Sequence, residues 1–377
     1  MRIRVERDTL AEAVTWTARS LPARPPVPVL AGLLIEAASD HLTLSSFDYE
    51  VSGRVAVDAV VEEAGTVLVS GRLLAEITRA LPARPVTLTT EGSKVLLVCG
   101  TSTFSLPTLP VEEYPTLPEM PVQTGSLSGA SFAAAVAQVA VAAGRDDTLP
   151  VLTGIRMEIE GDTLTLAATD RYRLAVREIA WTPEAPGGEA VALVPARTLA
   201  DTAKSLAVSE AVSLALASGG VGEGLLGIEG GGRRTTTRLL DGEFPKYRSL
   251  LPAESLAVAT IDTAAFVEAV KRVSLVAERN TPVRLSFTAG EVQLDAGTGD
   301  DAQASETLES SMTGDPITIA FNPHFLLDGL GAIDAPVAAL SFTTSTKPAV
   351  LTGRAADGAV SGSDSYRYLL MPVRLSG

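Results

Sequence analysis

Apolar residues recur at two distinct spacings along the chain, and each spacing predicts one kind of element. Spacings of three and four residues, typical of a helix with one buried face, occur over residues 8–20, 129–143 and 262–277. A second set of helices is predicted over 71–80, 196–206 and 323–331. Between the helices, apolar and polar residues alternate in short runs separated by turns, which is typical of antiparallel strands with one solvated face.

Short sequence blocks return along the chain at a nearly constant distance. Pro28-Val29-Leu30-Ala31-Gly32 returns 122 positions later as Pro150-Val151-Leu152-Thr153-Gly154, and Leu42-Thr43-Leu44 returns at the same distance as Leu164-Thr165-Leu166. A fainter third copy begins with Val283-Arg284-Leu285. Self-similarity at a fixed period indicates duplicated structural units. The chain is therefore predicted to contain three similar domains.

Three such domains also account for the length of 377 residues, since each then has a common domain size of roughly 126 residues. Proline-containing segments near residues 121 and 252 mark the boundaries. The predicted domains are 1–122, 123–254 and 255–377. Each is predicted to have an α+β fold in which two helices pack on antiparallel sheets.

The composition is that of a folded protein, with 46% hydrophobic residues and a net charge of −15. The acidic total argues against an overall basic coat for nucleic acid. One cysteine and two histidines exclude an intramolecular disulfide and make a metal centre improbable, so no metal or cofactor is expected. The N-terminus lacks a signal-peptide pattern and no long apolar run is present, so we expect a cytoplasmic protein with no membrane partner.

Basic residues concentrate on the predicted helices despite the acidic total. Arg72 and Arg79 flank Glu76 on one helix face, and Arg197 and Lys204 repeat this arrangement in the next domain. One interpretation is a solvated face with an ion pair four residues apart, and the other is a weak, sequence-neutral surface for duplex DNA. The candidate DNA-binding residues are Arg24, Arg72, Arg79, Arg145, Arg197, Lys204, Lys271, Arg272 and Arg279.

No catalytic motif is found in the sequence. Walker A, G-x-S-x-G and H-E-x-x-H patterns are all missing. The glycine-rich segment 219–224 lies between strand-like runs, where a hairpin loop is favoured over a phosphate cradle. This favours a binding protein over an enzyme.

Four segments of the chain form a recognisable set: Arg24-Pro25 with Pro28-Val29-Leu30, ATDRYRLA over 168–175, EFPKYR over 243–248, and MPVRL over 371–375. Together they resemble the corresponding segments of the bacterial sliding clamps, the beta subunits of DNA polymerase III. The resemblance extends over the whole chain. It implies a head-to-tail homodimer whose six domains form a ring around duplex DNA, with the helices lining the hole.

The resemblance also implies a processivity factor that has no catalysis of its own and tethers the replicative DNA polymerase to DNA. Short linear motifs of the polymerase, the clamp loader and repair proteins then bind a hydrophobic pocket between the second and third domains. By resemblance, the pocket residues are Leu152, Thr169, Arg171, Tyr172, Arg173, Leu174, Pro245, Ser249, Leu250, Asn322, Phe325, Leu369, Met371, Pro372, Val373 and Arg374. Phe104 and Leu275 are the expected residues of the dimer interface.

Two positions depart from the family pattern, because Arg171 stands where a glycine is frequent and Ser249 replaces a basic residue of some members. A second class of function stays open at this point, namely a triplicated α+β scaffold or adaptor that does not encircle DNA. The mass in solution and the presence or absence of a ring distinguish the two hypotheses.

Overall fold

The structure is a computed structural model that describes residues 1–217, 224–277, 281–297, 302–356 and 366–374. Most of the predicted glycine-rich loop, up to residue 223, and the candidate DNA-binding residue Arg279 lie outside this range. In the described parts of the chain, no helix is long and apolar enough to cross a membrane.

The helices lie where the apolar spacing predicts them. They are α1 (Arg7–Thr17), α2 (Gly71–Ala80), α3 (Gly129–Ala140), α4 (Ala196–Ser205), α5 (Thr263–Val273) and α6 (Pro323–Gly331). The first helix of each predicted domain is shorter than expected, and α1 and α5 continue as single 3-10 turns at Ala18–Ser20 and Ser274–Val276. Such turns tighten the end of a helix and satisfy carbonyl groups that have no further helical partner.

The strands alternate buried and exposed residues as antiparallel strands with one solvated face do. The first fourteen are β1 (Arg2–Val5), β2 (Gly32–Ala38), β3 (His41–Phe47), β4 (Val51–Asp58), β5 (Val60–Glu63), β6 (Gly65–Ser70), β7 (Val86–Glu91), β8 (Lys94–Cys99), β9 (Ser102–Leu109), β10 (Gly125–Leu127), β11 (Gly154–Glu160), β12 (Thr163–Thr169), β13 (Arg173–Ala180) and β14 (Thr182–Pro183). The others are β15 (Glu189–Pro195), β16 (Val212–Ala217), β17 (Leu225–Gly230), β18 (Arg233–Arg238), β19 (Ala257–Asp262), β20 (Val283–Phe287), β21 (Glu291–Ala296), β22 (Ala304–Glu309), β23 (Ser311–Thr313), β24 (Ile317–Phe321), β25 (Val337–Phe342), β26 (Ala349–Arg354) and β27 (Tyr366–Leu370).

One compact unit comprises Met1–Ala130, Thr182–Ala185 and Asp201–Leu239. Its sheet has the order β14-β10-β16-β17-β18-β4-β3-β2-β6-β9-β8-β7-β1-β5. Helices α1 and α2 pack together, and Leu10, Val14 and Leu74 belong to the buried core beneath them. Because β18 pairs antiparallel with β4, the sheet continues from the first predicted domain into the second.

The other compact unit comprises Ser131–Trp181, Pro186–Ala200 and Leu240–Gly377. One sheet has the order β15-β11-β12-β13-β27-β26-β25-β19-β23, and a second has the order β22-β21-β20-β24. Here β13 of the second predicted domain pairs antiparallel with β27 of the third. The α+β architecture with antiparallel sheets is confirmed, whereas the compact units follow the continuous sheets and leave the predicted domain boundaries as a prediction.

Candidate functional site

A tight turn between β12 and β13 presents the side chains of the ATDRYRLA segment. Asp170 Oδ1 accepts hydrogen bonds from the backbone N–H groups of Tyr172 (3.0 Å) and Arg173 (3.1 Å). Thr169 Oγ1 accepts from the Arg171 N–H at 3.2 Å and donates to the Arg173 carbonyl at 2.6 Å. These bonds hold Arg171 at a φ of +80°, a backbone region that favours glycine. The arginine therefore occupies a left-handed position at which glycine has no steric cost.

An apolar cavity of about 370 Å³, the apolar pocket, lies beside this turn. Its lining consists of Thr169, Arg171, Arg173, Leu174, Pro245, Leu250, Pro348, Leu369 and Met371. Leu174 and Leu369 are buried, whereas Leu250 is 50% exposed and Met371 is 40% exposed. The pocket thus combines buried aliphatic side chains with exposed apolar ones, and an unbranched methionine adapts readily to an incoming side chain.

A larger cavity of about 680 Å³, the polar pocket, shares Arg171 and Arg173 with the apolar pocket. Its lining consists of Ala143, Gly144, Arg145, Asp146, Leu149, Leu152, Asp170, Arg171, Tyr172, Arg173, His324, Phe325 and Asp328. The Tyr172 ring stacks on the Phe325 ring with 6.1 Å between the centroids. Because Arg171 and Arg173 form part of both walls, the two cavities are adjacent.

The side chain of Arg173, predicted to contact a peptide, is already bound to several groups of its own chain. Its side chain is only 5% exposed, and its Nε and Nη1 atoms bind Asp170 at 2.9 Å and Asp328 at 2.5 Å. Its guanidinium also lies over the Phe325 ring, 4.4 Å from the centroid. Burial disfavours the charge, but Tyr368 and the two carboxylates outweigh it and raise the pKa of Arg173. Arg173 therefore connects β13 to α6, and its contact with a peptide stays a prediction.

A cluster of hydrogen bonds and ion pairs around the buried carboxylate of Glu158 holds the chain segment that supplies Pro245 and Leu250 to the apolar pocket. Glu158 on β11 is bound by Arg156 Nε at 2.5 Å, by the Tyr247 hydroxyl at 2.7 Å and by Arg248 Nη2 at 2.7 Å. Burial alone would raise the pKa of Glu158, but these hydrogen bonds and positive charges outweigh it and lower the pKa. Burial and the neighbouring carboxylate raise the pKa of the Tyr247 hydroxyl.

Five predicted pocket residues lie outside the linings of both pockets. Ser249 donates through its Oγ to the Lys246 carbonyl at 2.8 Å. Asn322 is the N-cap of α6, where its side chain accepts from the backbone N–H groups of His324 and Phe325. Pro372, Val373 and Arg374 line a separate cavity of about 280 Å³ next to β24. These positions as contacts of a bound peptide stay predictions.

Several lining residues were not among the pocket residues expected from the sequence, and His324, Asp328 and Pro348 are three of them. His324 and Asp328 lie four positions apart on α6 and line the polar pocket, and Pro348 lines the apolar pocket. The spacing of His324 and Asp328 was a usable signal, because residues four apart share one helix face. Pro348 carries no comparable signal, since it lies in the loop before β26 and is brought to the pocket only by the tertiary fold.

The described candidate DNA-binding residues are all exposed. Arg72, Arg79, Arg197, Lys204, Lys271 and Arg272 lie on helices, Arg24 follows the first 3-10 turn, and Arg145 follows α3. Some have partners within the chain, because Lys271 pairs with Glu268 at 2.8 Å and Arg272 pairs with Glu306 at 2.5 Å. Arg145 also lines the polar pocket, so its side chain belongs to that cavity as well as to the predicted basic surface.

The two residues expected at a dimer interface differ in exposure. Leu275 is 85% exposed on the 3-10 turn after α5, whereas Phe104 on β9 is partly buried against the core of the first predicted domain. Single exposed apolar side chains are common on protein surfaces, so the place of Leu275 and Phe104 in a dimer interface stays a prediction.

Family models match nearly the whole chain. They describe the N-terminal domain of the DNA polymerase III beta subunit over residues 1–118, its central domain over 126–246 and its C-terminal domain over 248–374. The chain belongs to the family of DNA polymerase III beta subunits. The three predicted repeats and the predicted family are thus confirmed.

Individual relatives agree with this family. A "Beta sliding clamp" of Streptomyces coelicolor is 67% identical over 377 residues and covers 100% of both chains, and a "Beta sliding clamp homolog GriR" of Streptomyces muensis is 50% identical over 99% of both. Among solved structures, a Pseudomonas aeruginosa sliding clamp bound to griselimycin has a TM-score of 0.91 at 25% identity and covers 100% of both chains. The Bacillus subtilis clamp has a TM-score of 0.90 at 23% identity, also over 100% of both chains, and shows the shared fold.

The function of the chain is that of a sliding clamp, which confers processivity and is not an enzyme. This confirms the predicted function and makes the adaptor hypothesis unnecessary. Within the described residues, no group of three or more His, Cys, Asp and Glu side chains is arranged to hold a metal ion.

Proposed function

We propose that two copies of this chain close head to tail into a ring around duplex DNA in the cytoplasm, and that the apolar and polar pockets bind short linear motifs of its partners. These partners are the replicative polymerase, the clamp loader and repair proteins. The observation that carries the proposal is the pair of contiguous pockets around the turn at residues 170–173, in a chain whose family consists of sliding clamps.

The shape of the pockets suits an extended peptide. Their volumes of about 370 and 680 Å³ lie within the range of ligand sites, roughly 300–1,000 Å³. Exposed Leu250 and Met371 at the apolar pocket offer contact to aliphatic or aromatic side chains, and exposed Tyr172 adds an aromatic surface at the polar pocket. A peptide held in this way gains affinity from a few anchor side chains and not from a large contact area.

The exposed basic residues suit weak contact with DNA. Lysine and arginine side chains that reach phosphates add affinity that depends on salt and carries no sequence information. With a net charge of −15 the chain as a whole repels DNA, so the contact has to be local. Closure of a ring then supplies the retention that these contacts do not.

Closure of the ring requires two different surfaces of one chain to meet their complements on a second copy. A head-to-tail contact of this kind gives a ring if the rotation closes. The fully exposed Leu275 offers an apolar contact for one surface, and Phe104 on β9 is the expected contact on the other.

The test is retention of the loaded protein on a nicked circular plasmid, measured by gel filtration before and after the plasmid is cut once. We expect retention on the circle, loss after linearisation, and long products when the polymerase extends a primer on the circle. Equal retention on both DNA forms would contradict a ring around DNA.

The same assay separates the ring from the pocket. Met371 lies in the apolar pocket, which the loader is also proposed to use, so equal amounts of loaded Met371→Ala and unaltered protein are compared. Once loaded, Met371→Ala is expected to remain on circular DNA but to give shorter polymerase products. Leu256→Ala is the matched control, since Leu256 is also an exposed apolar residue and lies outside the linings of both pockets. Product lengths that are the same for Met371→Ala and Leu256→Ala would exclude the apolar pocket as the polymerase site.

A further inference from the structure

A smaller cavity of about 250 Å³ lies in the compact unit that contains the first predicted domain, next to the pairing of β18 with β4. The residues that matter for its chemistry are Phe47, Tyr49, Glu50, Pro118, Leu225 and Arg238. None of these was assigned a role from the sequence. The cavity shares no residue with the apolar or the polar pocket.

The turn beside this cavity has the same backbone hydrogen bonds as the turn at residues 170–173. Asp48 Oδ1 accepts from the N–H groups of Glu50 at 3.0 Å and of Val51 at 2.7 Å, as Asp170 does 122 positions later. Tyr49 has a φ of +74°, close to the +80° of Arg171. The duplication has therefore preserved the turn that borders the two larger cavities in the second copy.

The strand that follows each turn meets its partner strand in the same register. Thr237 of β18 faces Val51, and Leu370 of β27 faces Arg173. One residue further on, the Arg238 N–H donates to the Glu50 carbonyl at 2.9 Å, and the Met371 N–H donates to the Tyr172 carbonyl at 2.9 Å. Arg238 consequently occupies the position that Met371 occupies at the apolar pocket.

Aromatic and aliphatic side chains form most of the wall. Phe47 is buried, whereas Tyr49 is 48% exposed, and their rings lie 5.5 Å apart at 60°. Pro118 and Leu225 add aliphatic surface. A volume of about 250 Å³ is just below the usual range for small-molecule sites, roughly 300–1,000 Å³, and suits one or two side chains of a peptide.

Arg238 gives this cavity a positive charge. The equivalent residue of the apolar pocket, Met371, is uncharged. The Arg238 Nε donates to the Tyr49 carbonyl at 3.0 Å, which orients the guanidinium along the cavity wall. An arginine is charged at all physiological pH values and pairs well with carboxylates. Glu50 is also on the wall and repels an acidic group, so a carboxylate is expected to approach from the Arg238 side.

We propose that this cavity is a second peptide pocket, which binds a partner segment that carries an acidic residue next to an aromatic or aliphatic one. The apolar side chain enters between Tyr49, Pro118 and Leu225, and the carboxylate lies against Arg238. The proposal does not depend on ring closure or on the pockets near residues 170–173.

The test uses the full-length protein labelled with fluorotyrosine and observed by fluorine NMR, with the Tyr49 and Tyr172 signals assigned through Tyr→Phe substitution. The probes are acetyl-Asp-Phe-amide and acetyl-Lys-Phe-amide. We expect the Asp peptide to shift the Tyr49 signal saturably and to bind roughly tenfold more tightly than the Lys peptide, because a charge-assisted hydrogen bond is gained. The Tyr172 signal reports the polar pocket separately.

Substitutions at the two charged wall residues separate specific from incidental binding. Arg238→Gln is expected to weaken the Asp peptide roughly tenfold, Arg238→Lys to weaken it less than about threefold, and Glu50→Gln to tighten it about twofold. Equal affinity for both peptides, an unchanged affinity in Arg238→Gln, or a Tyr49 signal that stays constant while Tyr172 shifts would each overturn the proposal.

Discussion

The two places where strands of consecutive domains pair have the same backbone arrangement but are held by different side chains. Where β27 pairs with β13, the buried Arg173 binds Asp170 and Asp328. The repeat places Val51 at the position of Arg173, 122 residues earlier, so no such ion pair forms where β18 pairs with β4.

The pairing of β18 with β4 has a different set of side-chain contacts. Arg233 lies over the Trp16 ring at 5.7 Å, binds Glu12 and donates to the Ser205 carbonyl at 2.9 Å. The Trp16 Nε1 donates to Ser205 Oγ at 3.0 Å. The duplication thus preserved the path of the backbone, whereas the polar contacts differ between the two copies. The buried ion pair occurs at the turn that borders the two larger pockets.

The largest expected difference in stability is between loss of the ion pairs of Arg173 and loss of the ion pair between Arg233 and Glu12. Arg173→Met leaves two carboxylates without their common partner, and loss of one member of a buried ion pair costs about 3 kcal/mol or more in the free energy of unfolding. Arg233→Met loses a partner that is 71% exposed, Glu12, which is expected to cost about 1 kcal/mol or less.

Hydrogen exchange followed by mass spectrometry measures this difference without assuming that the whole chain unfolds in one step. We expect amides of β27 to exchange about a hundredfold faster in Arg173→Met, and amides of β18 to change less than tenfold in Arg233→Met. Equal acceleration in both variants would mean that the buried ion pair does not set the stability of its strand pairing.

An intermediate effect concerns Glu158, whose counterpart in the first repeat is Glu36, 122 positions earlier. The pKa of Glu158 is lowered from its ordinary value near 4.5, so its ion pairs stabilise the folded protein fully above that pH and progressively less below it. Glu158→Gln is therefore expected to cost about 2 kcal/mol at pH 7, the usual size for a hydrogen bond to a charged group. The difference from the unaltered protein should shrink as the pH falls below 4.5.

Urea unfolding followed by tryptophan fluorescence, to which Trp16 and Trp181 both contribute, checks this expectation at pH 7, 5, 4 and 3. Glu36→Gln is the matched control, because Glu36 is half-buried and has no ion pair among the described residues. If the cost of Glu158→Gln stayed constant down to pH 3, the ionised carboxylate would not be the stabilising species.

Much of the fold followed from the sequence, because local patterns determine it. The helix positions follow from apolar spacing, and the repeat distance of 122 residues indicates the duplicated domains. The motif segment 168–175 forms its turn locally, since Thr169 and Asp170 make hydrogen bonds that span four residues or fewer. The peptide contacts predicted for its side chains stay predictions.

The residues of the site that the sequence did not predict are brought together by contacts between distant segments of the chain. Asp328 is 155 residues from Arg173, and no local pattern links the two. Arg145 was assigned to DNA from its charge, and only the fold shows that it also lines the polar pocket. The cavity beside Arg238 was missed for the same reason, since β18 reaches β4 across more than 170 residues of chain.

The smallest expected effect concerns the backbone strain of the two turns, which have the same geometry but differ in the side chain at the strained position. Arg171 and Tyr49 both have a positive φ, where a side chain is strained and glycine is not. Arg171→Gly is expected to raise the free energy of unfolding by about 0.5 kcal/mol, because relief of strain slightly exceeds the entropy that glycine adds to the unfolded chain. Tyr49→Gly is expected to gain less stability, since it also removes the contact with Phe47.

The thermal unfolding midpoints of both variants check this expectation, with Arg171→Val as the control. Arg171→Val is expected to be destabilised, because a β-branched residue tolerates a positive φ poorly. A lower midpoint for Arg171→Gly than for the unaltered protein would show that the arginine side chain contributes more to stability than its backbone strain removes.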